Sequence, residues 1–81
     1  MKVYVFIETD SDDNTYAYTE VFAKREDAIN RLETVYHEEA VERVESELIR
    51  RAWISDNHEQ AWIEYETNSV SWQVQEKEIF E

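Results

Sequence analysis

Two histidines, His37 and His58, are the side chains of this chain best suited to ligate a metal or exchange a proton near neutral pH. His37 follows Glu33 by one helical turn, and His58 sits in a polar stretch beside Glu59. Neither spacing matches a zinc motif, and no His-Glu-x-x-His or Glu-x-x-His element is present. Both read as surface histidines, with His37 marking a bend in a helix. Asp10, Asp12 and Asn14 match the first three ligand positions of a calcium loop. The sixth position is Thr15 rather than glycine and the twelfth is Val21 rather than glutamate, so an acidic, solvated turn accounts for the run. The serines at 11, 46, 55, 69 and 71 stand beside no base, and there is no cysteine to act as nucleophile or thiolate ligand. With no glycine, the chain has neither a phosphate-cradling loop nor a dinucleotide fingerprint. No catalytic residues, metal or cofactor are expected.

What the residues do offer is charge and aromatic surface. The 81 residues carry twenty carboxylates against eight Lys and Arg, a net charge of −12 spread evenly along the chain. Such a surface repels nucleic acid and anionic lipid and speeds encounter with basic partners. Asp27–Arg31, Glu39–Arg43 and Glu47–Arg51 are acid-before-base pairs at i, i+4, each able to support a helix by a few tenths of a kcal/mol. Glu38, Glu42 and Glu45 are left as an unpaired acidic ridge, and Glu64 and Glu66 as another on a strand face, with Glu76 and Glu78 as candidates to extend it. A solvated face explains such ridges without function. The functional alternative is that spaced carboxylates imitate phosphates in a cationic channel of another protein. Tyr4, Phe6 and Trp62 fall on the opposite parity from Val3, Val5, Ile7 and Ile63, which places them on an open sheet face as apolar anchors.

The elements that must position these residues follow from periodicity. KVYVFIE (2–8) and TYAYTEVF (15–22) are rich in β-branched and aromatic residues and predict a hairpin across TDSDDN. Lys24 to Ala52 has no helix breaker. Ala28, Ile29, Leu32, Val35 and Tyr36 form one apolar stripe, and Ala40, Val41, Val44, Leu48 and Ala52 form a second, rotated one. One straight helix cannot bury both stripes against a flat sheet, so a bend or break is expected near His37–Glu39. The second stripe could alternatively face another copy, with Val41, Val44 and Leu48 as a homodimer seam. ISDNHEQ (54–60) reads as a loop. AWIEYET (61–67) and VSWQVQEKEIF (70–80) read as strands turning at Asn68–Ser69, which pairs Tyr65 with Trp72 and Ile63 with Val74. The expected fold is a single α+β domain over 1–81: a four-stranded antiparallel sheet in ββαββ order with a long, bent or broken helical region on one face.

No segment approaches the ~20 apolar residues of a membrane span, and the acidic N-terminus does not read as a signal peptide, so a cytoplasmic location is expected. The opening KVYVF and the run VFAKREDA (Val21, Phe22, Arg25 to Ala28) resemble short proteins of phages and mobile elements. That resemblance covers about the first thirty-five residues and implies a ββα start with no activity attached. In size and acidity the chain is also similar to anti-CRISPR and anti-restriction inhibitors, a compositional likeness that assigns no residue a role. The expectation is a non-catalytic acidic protein docking on a basic protein, such as a nucleic-acid-binding enzyme, through Glu38, Glu42, Glu45, Glu64, Glu66, Trp62, Tyr4 and Phe6. It would contact no nucleic acid or membrane directly. The alternative is a homodimeric scaffold.

Overall fold

A computed structural model describes residues 1–10, 17–42, 49–66 and 68–79. It is α+β, one helix on a five-stranded antiparallel sheet, where the sequence predicts four strands. Strands β1 (Lys2–Asp10) and β2 (Ala17–Phe22) form the expected hairpin, followed by α1 (Arg25–Glu42), β3 (Ile49–Ile54), β4 (Gln60–Tyr65) and β5 (Ser69–Glu78). The strand order is β2-β1-β5-β4-β3, so the first and last strands lie side by side. Helix α1 links one edge strand to the other and packs on β1, β2, β4 and β5 along the way.

The helix starts where the stripe predicts. Glu26 and Asp27 occupy its first turn, where negative charge suits the positive end of the helix dipole. Ala28, Ile29 and Leu32 are buried, and Val35, Tyr36 and Ala40 pack against the same core. The expected break at His37–Glu39 is not there: α1 runs unbroken to Glu42. The second stripe divides instead. Ala40 and Val41 stay on α1, Ala52 belongs to β3, and Val44 and Leu48 lie outside the described residues.

β3 was hidden by its own irregularity. Its ladder with β4 shifts register between Ile49 and Arg51, so Ile49, Ala52 and Ile54 share a face at spacings of three and two. A bulge of this kind imitates helical spacing and erases the alternation that announces a strand. The 54–60 loop shrinks to a turn between Ile54 and Gln60. It is closed by Ser55 N–H donating to the Gln60 carbonyl at 2.8 Å and by Gln60 N–H to Ser55 Oγ at 3.0 Å.

The β4–β5 register also differs from the expected one. Ile63 faces Val70, not Val74, and Ala61 faces Trp72. The slip is by an even number of residues, so side chains keep their faces although their partners change. Ala61, Ile63, Tyr65, Val70, Trp72 and Val74 therefore still share the core face. Phe6 joins them, 1% exposed and opposite Val74, which corrects its expected place on the open face. Tyr4 shares that side, half-buried against the core, with its hydroxyl donating to Glu76 Oε1 at 3.4 Å. β1 is apolar on both faces, so its alternation alone could not choose between them. The core side was set by which residues β5 places opposite.

Candidate functional site

Because α1 covers one side of the sheet, the other side stands open among the described residues. The registers assign its occupants row by row. Trp53, Trp62, Ser71 and Thr9 form one row across β3, β4, β5 and β1. Gln60, Gln73, Ile7 and Thr19 form the next, followed by Gln75, Val5 and Val21. Arg51 with Glu64 lies beyond the tryptophan row, and Lys77 with Val3 closes the other end. The face thus has an aromatic end on β3–β4, an amide and hydroxyl middle, and an aliphatic corner on β1–β2.

The aromatic end depends on the β3 bulge. Without that shift Arg51 and Trp53 would turn toward the helix; with it, Trp53 lies directly across from Trp62, ring centroids 6.2 Å apart and planes tilted by 31°. Trp53 is 43% exposed and Val21 62%, large values for such side chains. Two depressions flank Trp62, one of about 600 Å³ reaching Glu64, Glu66 and Asn68, the other of about 400 Å³ toward Ile7 and Gln73. Both are open, and neither encloses a small molecule as a typical active site does.

Charge is segregated between the two sides. Of the strand carboxylates, Glu8, Asp10, Glu20, Glu76 and Glu78 have the helix-side parity, and Glu64 is the single one on the open side. Glu26, Asp27 and Glu38 are exposed on α1. Opposing Glu64 on the open face are the cations Arg51 and Lys77. With Glu66, which lines the same depression as Glu64 just past β4, the described charges of this face sum to zero in a chain of net charge −12.

The polar residues on the helix side mostly hold the layers together. Glu33 Oε1 lies 2.6 Å from His58 Nδ1, and Arg25 donates to Glu59 Oε1 from Nε at 3.0 Å and from Nη2 at 2.9 Å. These contacts tie α1 to the β3–β4 turn, whose His58 has φ of 60°, a left-handed conformation that a glycine-free chain must give to another residue. The partner of Glu33 is thus His58 and not His37, which is exposed. Tyr65 Oη donates to Glu39 Oε1 at 2.7 Å, and Trp72 Nε1 donates to Glu8 Oε1 at 2.9 Å. Arg31 pairs with Glu20 of β2 at 3.3 Å, across to the sheet instead of along the helix to Asp27. Among the described residues no three His, Asp or Glu side chains converge as a metal site, and no helix is long and apolar enough to cross a membrane.

The expected site is therefore not one surface. Glu38 lies on the helix layer, whereas Trp62 and Glu64 are on the far side of the sheet, and Glu66 is exposed just beyond β4. Tyr4 and Phe6 belong to the core side, and Glu76 and Glu78 have the parity opposite to Glu64. The side chains of Val41 and Glu42, together with Val44, Glu45 and Leu48, lie outside the described residues, as do Asp12, Asp13 and Asn14. Sequence reasoning missed Trp53 and Arg51 on the face that holds Trp62, and placed Val5 on the opposite one. The alternation Arg51-Ala52-Trp53-Ile54 was the available signal, obscured by the helix formers before it. Fold and surface define a small two-layer α+β protein with an acid-rich helical layer and a nearly neutral open sheet face. Compared with family models, curated proteins and solved structures, the chain matches none.

Proposed function

We propose that this chain is a non-catalytic acidic binding protein, an inhibitor or adaptor that docks on a basic surface of a nucleic-acid-handling protein. The observation that supports the reading is the segregation of charge. Carboxylates collected on the helix layer and the adjoining rim make a broad anionic surface, suited to the kind of groove that otherwise holds a phosphate backbone. Glu26, Asp27 and Glu38 supply exposed charge along the helix. The apolar anchors of the original expectation drop out of this surface, since Phe6 is in the core and Trp62 is on the opposite face.

The test is competition. A captured basic partner should lose its nucleic acid when the protein is added, and capture should fall steeply between roughly 50 and 500 mM salt, as it does for the displaced nucleic acid. Joint reversal of Glu26, Asp27 and Glu38 to Lys should weaken capture by at least about tenfold, on the order of half a kcal/mol per charge at a screened surface. Capture indifferent to salt and to these reversals would refute the reading.

A further inference from the structure

We propose that the depression at the β4–β5 hairpin end of the open face receives an arginine side chain carried by a basic protein partner. It lies on the side of the sheet away from the helix layer and does not rest on the docking proposed there.

Three observations carry it. The first is the lining. Trp62, Glu64, Glu66, Asn68 and Ser71 bring an indole, two carboxylates, an amide and a hydroxyl to a depression of about 600 Å³. Among the described residues no Lys or Arg lines it. A guanidinium is the side-chain group that uses this whole set. It stacks flat on an indole, forks onto a carboxylate and has N–H donors left for amide and hydroxyl oxygens. A lysine ammonium is a point charge with neither plane nor fork.

The second observation is unmatched charge. On the helix side the strand carboxylates have partners. Glu8 accepts from the Trp72 indole, Glu20 meets Arg31, Glu76 meets Lys2 at 3.7 Å, and Glu78 meets the N-terminal ammonium at 3.4 Å. Among the described residues Glu64 and Glu66 make no ion pair, although Arg51 stands opposite Glu64 in the ladder. Arg51 is on the β3 side of Glu64, whereas the depression opens on the β5 side, toward Ser71.

The third observation is where the charge lies. Lys77 is at the far end of β5, roughly 27 Å from Ser69 at the usual rise per residue, and is screened from this end. Glu64 and Glu66 therefore outnumber Arg51 locally, and the neutral sum of the face conceals a negative hairpin end. The depression is open, so a free amino acid would be held by its side chain alone. A protein-borne arginine gains the surroundings as well. Trp53, 43% exposed across from Trp62, offers an apolar contact beside the depression, and the net charge of −12 steers basic chains toward it.

The experiment is a nitrogen–proton NMR titration with hexa-arginine and hexa-lysine peptides, read residue by residue. Hexa-arginine should move the Trp62 indole signal and the amides of Glu64, Glu66 and Asn68. The Trp72 indole, held by Glu8 in the core, should stay in place. Hexa-lysine should need at least about fivefold more peptide for half-saturation, having no fork to offer. Acetylarginine amide should need at least about tenfold more, lacking neighbouring contacts. Joint Glu64→Gln and Glu66→Gln should raise the half-saturation point at the Trp62 indole by at least about tenfold, while Glu26→Gln with Asp27→Asn should leave it unchanged. If the double variant displaces the Trp72 indole, Glu66→Gln alone decides, with an expected rise of at least about threefold. Shifts confined to the helix layer, an equal response to both peptides, or binding that survives loss of the two carboxylates would each overturn the proposal. Acetylarginine amide as effective as the peptide would overturn the protein partner as occupant.

Discussion

Adjacent residues on β1 make opposite predictions about which side of the sheet is core. Phe6 is 1% exposed, packed under α1 opposite Val74. Val5 points to the open side between Val21 and Gln75. Phe6→Ala removes a ring from a closed core and should cost about 3–5 kcal/mol, the usual transfer and cavity loss for such a site. A domain of this length has on the order of 4–12 kcal/mol of stability, so the variant gives up between about a quarter and all of it. At roughly 4–8 °C per kcal/mol in a domain of this size, the midpoint of thermal unfolding drops by about 12–40 °C. Val5→Thr keeps the shape and adds a hydroxyl. Buried, that hydroxyl would cost about 1–3 kcal/mol, whereas facing water it should cost less than about 1 kcal/mol. The assay is urea unfolding followed by tryptophan fluorescence, at micromolar protein. An absent cooperative transition in Phe6→Ala counts as the full loss. If Val5→Thr loses as much stability as Phe6→Ala, the faces have been assigned the wrong way round and the open-face argument falls.

Two further substitutions probe the layers. Glu8→Ala leaves the Trp72 indole N–H, whose side chain is 2% exposed, without its 2.9 Å acceptor, and should cost about 1–3 kcal/mol in the same urea titration; an unchanged midpoint would show that this bond contributes nothing net. Ala52→Thr, at an exposed position of β3, should leave the thermal midpoint unchanged or raise it, since β-branched residues favour strands by up to ~1 kcal/mol. A loss of the ~0.5 kcal/mol expected for threonine in a helix would instead support the helical region that the sequence places over this segment.

The parts of the fold that were legible in the sequence are those where one local signal had no rival. The β1–β2 hairpin and the start of α1 follow from β-branched runs and a helical stripe. The β4–β5 pair kept its faces through a register slip because only parity decides which side a residue occupies. The rest depended on long-range pairing. In Val3-Tyr4-Val5-Phe6-Ile7 both parities are apolar, so nothing local says which set is buried. Assigning Tyr4 and Phe6 to the open face beside Trp62 followed from that ambiguity. β3 was lost because Glu and Arg formers precede it and its bulge breaks the period, and with β3 went Trp53 and the whole aromatic end of the candidate face. The charge segregation was invisible for the same reason, since net charge is even along the chain and uneven only once the strands are paired.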